Sequence, residues 1–190
     1  MGLVQSAVNK GFISDNEAIK ISESCYFTEK EVHILANIFR KLNIKYNIDS
    51  KMFCEALHIE NPEIGEIIYK IVDSDGSGKL NFIEFVKGLS CFHPDAPFKQ
   101  KVKMCFKAYD SDGSGMVSKD EILKVIKISL KNNNLIDFEE AKVDLLANQL
   151  VKEYSKNSCG ELSYDEFYKM VSNAPGVIES FDLDLSALFK

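Results

Sequence analysis

The chain has 190 residues, enough for one compact domain or two small lobes with a hydrophobic core. Its net charge is -6 and its Lys and Arg residues are scattered among carboxylates, which argues against a nucleic-acid-binding protein. No apolar run approaches the roughly 18 to 20 residues that cross a bilayer, so we expect no transmembrane helix.

The N-terminal segment, residues 1–27, opens with MGLVQSAV. Gly2 and Ser6 have the spacing of an N-myristoylation signal, in which glycine is exposed after Met1 is removed. The alternative is an ordinary initiator sequence. A single myristoyl chain binds membranes weakly, and Lys10 and Lys20 do not form a strong basic patch. The acyl group is therefore expected to cover protein surface as readily as it contacts membrane.

A unit of amphipathic helix, polar loop, apolar residue and second helix recurs four times along the chain. The first copy, FRKLNIKYNIDSKMF at 39–53, has a shortened loop without glycine or an acidic cluster. In it, Ile48 occupies the apolar position and Met52 stands where the later copies have glutamate. This loop is predicted to bind no metal.

The second and third copies have apolar residues at helical spacing on both sides of their loops. Pro62 suits the first turn of the helix that precedes the second loop. CFHPDAP, at 91–97, contains two prolines and separates the two copies. We therefore predict an N-lobe at 28–92, a linker at 93–97 and a C-lobe at 98–172, with paired loops joined by short antiparallel ladders in an all-α fold.

Two twelve-residue loops carry the chemistry: DSDGSGKLNFIE at 73–84 (loop 2) and DSDGSGMVSKDE at 110–121 (loop 3). Calcium takes about six to eight oxygen ligands, which such a loop supplies from positions 1, 3, 5, 7, 9 and 12. The candidate ligands of loop 2 are Asp73, Asp75, Ser77, the Lys79 carbonyl, Asn81 and Glu84. Those of loop 3 are Asp110, Asp112, Ser114, the Met116 carbonyl, Ser118 and Glu121. The sequence thus predicts two calcium ions.

Other positions of loops 2 and 3 support this interpretation. Gly78 and Gly115 stand at position 6, where the chain turns with positive φ. Leu80 and Val117, at position 8, suit pairing between neighbouring loops. The alternative, an acidic turn rich in Gly and Ser, does not explain a glutamate at position 12 twice over. Three carboxylates in each loop predict affinities of roughly 10⁻⁷ to 10⁻⁵ M.

The fourth copy, SKNSCGELSYDE at 155–166 (loop 4), keeps Gly160, Leu162 and Glu166 but lacks the early carboxylates. Ser155, Asn157 and Cys159 offer little charge to offset the dehydration of a divalent ion. We predict that loop 4 is empty at physiological calcium and persists because such units are stable in pairs.

These residues resemble the EF-hand proteins, and within them the calcineurin B group, which includes the calcineurin B-like proteins, with the neuronal calcium sensors as near relatives. The resemblance covers about residues 28 to 172 and rests on the two loops, on LNFIEFVKGLSCF at 80–92 and on KVKMCFKAYDSDGSG followed by VSKDEILKVI. The chain departs from calcineurin B, in which four metal-binding hands are expected, because only two loops are intact here.

The resemblance implies a non-enzymatic regulatory subunit whose apolar groove holds an amphipathic helix of a catalytic phosphatase or kinase. The alternatives are a stand-alone calcium sensor with a myristoyl switch at membranes, and a calcium buffer. Five widely spaced cysteines without a CxxC pair or secretory signal indicate reduced thiols and a cytoplasmic protein, with peripheral membrane contact only through the acyl group.

The C-terminal extension, residues 173–190, is too apolar for a free tail. After Pro175 and Gly176 it carries Val177, Ile178, Phe181, Leu183, Leu185, Leu188 and Phe189. It is interpreted either as additional core or as a segment that lies in or beside the partner groove and yields to the partner's helix. His33, His58 and His93 are isolated in sequence and are not predicted to bind metal.

Overall fold

The computed structural model describes residues 13–42, 48–131, 139–157, 160–174, 183 and 185–189. These residues form α-helices, one 3-10 helix and isolated bridges, which confirms the predicted all-α class. The chain divides into two compact units: one contains the described residues of 1–96 and 183–190, the other those of 97–182. Among the described residues, no helix has the length and apolar character needed to cross a membrane.

Five α-helices and the 3-10 helix belong to the first unit. They are α1 (Asp15–Ser22), α2 (Glu29–Leu42), α3 (Ser50–Ala56), α4 (Pro62–Val72), α5 (Phe82–Ser90) and the 3-10 helix Leu185–Phe189. The predicted role of Pro62 is confirmed, because it occupies the first turn of α4 behind the N-cap Asn61. The helix α2 contacts α1, α3, α5 and the 3-10 helix, and so lies at the centre of the unit.

The core of the first unit is a cluster of aromatic rings from α2, α3, α4 and α5. Phe85 is fully buried and contacts Phe39 and Phe53, with ring centroids 5.5 and 6.3 Å apart. Phe53 also meets Tyr69 edge-on at 5.7 Å. Because Phe53 and Phe85 each follow the last position of a loop, burying them anchors the start of the helix after that loop.

The second unit consists of α6 (Phe98–Tyr109), α7 (Lys119–Lys131), α8 (Glu140–Tyr154) and α9 (Tyr164–Asn173). Its core repeats the arrangement of the first unit: Phe167, which follows loop 4, is fully buried between Phe106 and Tyr109 at 5.4 and 5.2 Å. Ile122, which follows loop 3, is 1% exposed. The repeat seen in the sequence is therefore also a repeat in packing.

The loops pair within each unit through single antiparallel bridges rather than longer ladders. Ile48 bridges Leu80 in the first unit, and Val117 bridges Leu162 in the second. All four side chains are at most 3% exposed, so each bridge is shielded from water. Each predicted calcium loop is thus joined to a loop with weaker metal chemistry.

The sequence predicts neither helix α1 nor the surface that the C-terminal extension covers. The helix α1 begins with a capping box, in which Ser14 and Glu17 each accept a hydrogen bond from the other's backbone N–H, and it packs on α2. The 3-10 helix of the C-terminal extension contacts α2, Leu185 is 5% exposed, and the ring of Phe189 lies 5.7 Å from that of Phe27. This part of the extension is packed on the first unit.

Candidate metal sites

Loop 2 brings its acidic side chains together between α4 and α5. One carboxylate oxygen from each of Asp73, Asp75 and Glu84 lies within 4.8 Å of the others. Asp73 and Glu84 are each 8% exposed although their side chains are acidic, whereas Asp75 is exposed. Burying two carboxylates in one small space is unfavourable unless a positive charge compensates them.

The loop backbone holds Asp73 and Asp75 in place. Asp73 Oδ2 accepts a hydrogen bond from the Gly78 N–H at 2.8 Å, and Asp75 Oδ1 accepts one from the Ser77 N–H at 2.9 Å. The Ser77 hydroxyl donates to the Lys79 carbonyl at 3.0 Å. Gly78 has φ +73°, a conformation that strains residues with a β-carbon, as position 6 requires.

Loop 3 repeats this arrangement. Oxygens of Asp110, Asp112 and Glu121 lie within 4.8 Å of one another, and Glu121 is 8% exposed. The Gly115 N–H donates to Asp110 Oδ2 at 3.0 Å, and the Ser114 N–H donates to Asp112 Oδ1 at 2.9 Å. Two separate stretches of the chain therefore build the same carboxylate cluster.

Hydrogen bonds favour the ionised form of several loop carboxyls. The Ser77 hydroxyl and N–H lower the pKa of Asp75, and the Ser114 N–H and hydroxyl lower that of Asp112. Burial acts to raise the pKa of Glu121, but hydrogen bonds from the N–H and hydroxyl groups of Ser118 and Ser111 leave it lowered overall. These carboxyls are therefore poised to present negative charge.

The glutamate at position 12 also caps a helix. Asn81 is the N-cap of α5, and its side chain accepts from the Glu84 N–H at 2.9 Å while Glu84 Oε2 accepts from the Asn81 N–H at 3.1 Å. In loop 4, Glu166 likewise accepts from the Ser163 N–H at 2.8 Å and from the Ser163 hydroxyl at 2.7 Å. Capping therefore explains why Glu166 is present without the other carboxylates.

Loop 4 closes on itself through different groups. Glu166 Oε1 accepts from the Lys156 N–H at 2.8 Å, and the Ser163 and Lys156 hydrogen bonds lower the Glu166 pKa. The Asn157 amide bonds the backbone of Glu161. Within the described residues, no group of three His, Cys, Asp or Glu side chains converges in loop 4. Cys159 lies outside the described residues.

One further group was missed by reading the sequence. Ligand atoms of Asp15, Glu29 and His33 lie within 4.8 Å of one another on α1 and α2, and His33 Nε2 is 3.2 Å from Asp15 Oδ1. Both carboxylates are exposed to solvent, whereas each of loops 2 and 3 has a buried glutamate at position 12. The sequence does not reveal that α1 packs on α2, which brings these side chains together, and a polar contact between His33 and Asp15 at the surface accounts for the group.

The residues of loops 2 and 3 fit a calcium ion. Three carboxylates converge from the two ends of each loop, and Asp73, Glu84 and Glu121 among them are buried. No sulfur or imidazole ligand is among the candidates that these two loops offer. An all-oxygen set of this kind suits a hard cation. The predicted lipid site Gly2 lies outside the described residues.

Helix–loop–helix units paired through their loops, each pair with an acidic twelve-residue loop, define an EF-hand protein. The family model described as an EF-hand domain pair matches residues 99–172. Among curated proteins, the chain is 32% identical to the type 2 calcineurin B of Mus musculus over 161 residues, covering 82% of this chain and 87% of the relative. The chain belongs to the calcineurin B family, which confirms the resemblance seen in the sequence.

Two other relatives extend the match over most of the chain. The type 2 calcineurin B of Dictyostelium discoideum is 28% identical over 170 residues, covering 88% of this chain and 90% of the relative. The calcineurin B of Schizosaccharomyces pombe is 27% identical over 186 residues, covering 97% and 99%. The similarity therefore includes both units rather than one EF-hand pair.

Proposed function

We propose that this protein is a calcium-binding regulatory subunit of calcineurin B type, which holds an amphipathic helix of a catalytic phosphatase subunit. The observation that carries the proposal is the convergence of three carboxylates in each of loops 2 and 3, with the position 12 glutamate buried in both, in a chain from the calcineurin B family. We assign the chain a regulatory role and no catalytic activity of its own.

Two calcium ions are assigned to the two loops. In loop 2 the ligands are Asp73, Asp75, Ser77, the Lys79 carbonyl, Asn81 and Glu84. In loop 3 they are Asp110, Asp112, Ser114, the Met116 carbonyl, Ser118 and Glu121. Bound calcium supplies the positive charge that offsets the converging carboxylates.

Ligation also couples the metal to the helices. Asp73 follows the last residue of α4, and Glu84 lies in the first turn of α5. Because ligands on both sides of the loop must reach one ion, binding fixes the angle between the two helices. In sensor EF-hands, calcium binding changes the angle between the two helices and thereby exposes an apolar surface for a partner helix.

Exposed apolar side chains support a partner surface on the second unit. On α8, Leu145 is 58% exposed and Leu146 is 46% exposed. Side chains of this kind are covered when the apolar face of an amphipathic helix docks. The net charge of -6 favours a helix that also carries basic residues.

The proposal is tested by mixing the purified protein with a purified calcineurin catalytic subunit and measuring association by calorimetry, in calcium and in chelator. We expect a one-to-one complex whose phosphatase activity rises with calcium. Leu145→Lys should weaken the complex, whereas Lys142→Ala, on the same helix, should not. Failure to associate under both conditions would refute the regulatory-subunit assignment.

Two further measurements on the same purified protein test the alternatives, a membrane-associated sensor and a calcium buffer. A myristoylated stand-alone sensor would bind vesicles only in calcium and lose that binding in Gly2→Ala. A calcium buffer would bind the ion without any increase in the fluorescence of an apolar-surface dye. Either result, combined with no association with the catalytic subunit, would replace the proposal.

A further inference from the structure

The side chain of Asn157 closes loop 4 with two hydrogen bonds to one residue. Its Nδ2 donates to the Glu161 carbonyl at 2.8 Å, and its Oδ1 accepts from the Glu161 N–H, with the nitrogen 3.3 Å away. The Ser155 hydroxyl also donates to Asn157 Oδ1 at 3.2 Å. These partners determine the orientation of the amide, because its nitrogen faces a carbonyl and its oxygen faces two donors.

Asn157 and Glu161 occupy positions 3 and 7 of loop 4. In an EF-hand that binds calcium, the side chain at position 3 and the carbonyl at position 7 both direct oxygen atoms at the ion. In loop 4 the amide N–H group of Asn157 instead bonds directly to that carbonyl. A partial positive charge from the protein thus meets the oxygen that a cation would otherwise meet.

Loops 2 and 3 provide the comparison within the same chain. Their position 3 residues, Asp75 and Asp112, are carboxylates that have no N–H to donate. The position 7 carbonyls, of Lys79 and Met116, accept instead from serine hydroxyls at 3.0 and 3.1 Å. A donor from the protein thus reaches the position 7 carbonyl in all three loops, but only in loop 4 does it come from position 3. In loops 2 and 3 position 3 is instead a carboxylate, which suits a cation.

The closed loop 4 is connected directly to loop 3. Leu162 follows Glu161, and the Leu162 and Val117 N–H groups each donate to the other's carbonyl at 2.8 Å. Both side chains are fully buried. Val117, at position 8 of loop 3, is therefore paired with Leu162, and the backbone of the preceding residue, Glu161, is bonded to Asn157.

We propose that Asn157 is a positioning residue that takes the place of a cation in loop 4, and that it thereby holds loop 3 in its binding conformation without metal in loop 4. The second half of this inference rests on the proposed calcium binding of loop 3. The first half concerns the protein without calcium and is independent of that proposal.

The test measures the hydrogen-exchange rates of the Leu162 and Val117 backbone amides by NMR, in the presence of a calcium chelator. The native protein should protect both amides. Asn157→Asp keeps the shape and the acceptor oxygen but loses the donor, and it should reduce protection by on the order of tenfold, as should Asn157→Ala. Asn173→Ala is the matched control, because its Nδ2 bonds Tyr154 Oη at 3.0 Å elsewhere in the second unit, and it should change neither amide.

Adding calcium then distinguishes the loss of the Asn157 donor from a nonspecific destabilisation of loop 4. With loop 3 disabled by Glu121→Gln, added calcium should restore protection of Leu162 in Asn157→Asp, where a carboxylate can ligate the ion, and should not restore it in Asn157→Ala. With loop 3 intact, calorimetry should show weaker calcium binding at loop 3 in Asn157→Ala and unchanged binding at loop 2.

Several results would overturn the inference. Rapid exchange of Leu162 in the native protein in chelator would do so without any variant, as would native-like protection in Asn157→Asp. Unchanged calcium affinity at loop 3 in Asn157→Ala would refute the coupling. If the native loop 3 bound no calcium, the proposed function would fail there, while the measurements in chelator would still decide the role of Asn157.

Discussion

The hydroxyl of Tyr69 lies 2.8 Å from the backbone carbonyl of Ile48 and 3.1 Å from that of Gly78, and donates to both. Tyr69 is on α4. Ile48 forms the antiparallel bridge to Leu80 that joins the first loop to loop 2, and Gly78 is at position 6 of loop 2. Because Tyr69 is 6% exposed, water cannot readily replace these bonds. One buried hydroxyl therefore ties together the two paired loops of the first unit.

Tyr69→Phe should lower the free energy of unfolding of the first unit by about 1 kcal/mol, because it leaves buried carbonyls without this donor. Tyr164→Phe is the matched control. Its hydroxyl is buried and has no hydrogen-bond partner among the described residues, so its removal should be neutral or slightly stabilising. Denaturant unfolding in chelator measures both, and equal losses would contradict the role given to Tyr69.

Glu84→Gln and Glu121→Gln should each abolish one calcium site, since a neutral amide cannot replace a carboxylate that gives both oxygens to the ion. Glu166→Gln, at the same position of loop 4, should leave the stoichiometry unchanged. Calorimetric titration should count two ions in the native protein and one in each of the first two variants. A native count of four would refute our interpretation of the first loop and of loop 4.

Gly88 allows α5 to approach α4 closely. A β-carbon on Gly88 would come within 2.7 Å of both γ-carbons of Val72, although nothing in the backbone conformation of Gly88 requires glycine. Gly88→Ala should therefore destabilise the first unit by about 1 to 3 kcal/mol through overpacking. The double variant with Val72→Ala should cost less than the sum of the two single variants in denaturant unfolding, and simple additivity would contradict the close contact.

The carboxylate clusters could be predicted because their information is local. Positions 1, 3 and 12 of each loop lie in one continuous stretch, and the structure brings their side chains together. The apolar residues at position 8 could likewise be identified as the pairing residues. The sequence did not show that they would form a single bridge in each pair rather than a longer ladder.

Other features depend on contacts that the pattern of residues does not reveal. The helix α1 had a readable signal, the spacing of Ser14 and Glu17 as a capping box, but its packing on α2 had none. The sequence alone indicates that Asn157 is a weak oxygen ligand for calcium. It does not reveal that Asn157 is a hydrogen-bond donor, because that depends on where the Glu161 carbonyl lies. Hydrophobicity marked the C-terminal extension as packed without indicating the surface it covers.

Phe189→Ala tests the place of that extension. The ring of Phe189 contacts Phe27, which also meets His93 edge-on at 5.3 Å, so its loss should destabilise the first unit. Because Phe189 is only half-buried, we expect about 1 kcal/mol rather than the about 3 to 5 kcal/mol of a core phenylalanine. Hydrogen exchange should show faster opening in the first unit and not in the second.

Phe98→Ala is the matched control for that experiment, since Phe98 is 41% exposed and belongs to the second unit, where its ring meets Tyr168 at 5.7 Å. Its effect should be confined to the second unit. If Phe189→Ala instead loosened only the second unit, the extension would not be packed on α2 in solution.

Tyr109 should make the second unit sensitive to alkaline pH. Its side chain is 3% exposed, and burial, with a smaller contribution from Cys105, raises the pKa of its hydroxyl well above the ordinary value of about 10. The unfolded chain therefore loses this proton at lower pH than the folded chain. The contribution of Tyr109 to stability is complete below about pH 10 and falls as pH rises further, by up to about 1.4 kcal/mol per pH unit.

Tyr109→Phe should remove this part of the pH dependence, because phenylalanine has no proton to lose. The measurement is urea unfolding in chelator at pH 8 and above pH 10, with the calcium-free protein used so that metal binding does not contribute. The native protein should lose more stability between the two conditions than Tyr109→Phe. An equal loss would mean that the other tyrosines and the lysines, rather than the buried hydroxyl of Tyr109, determine the alkaline limit of the second unit.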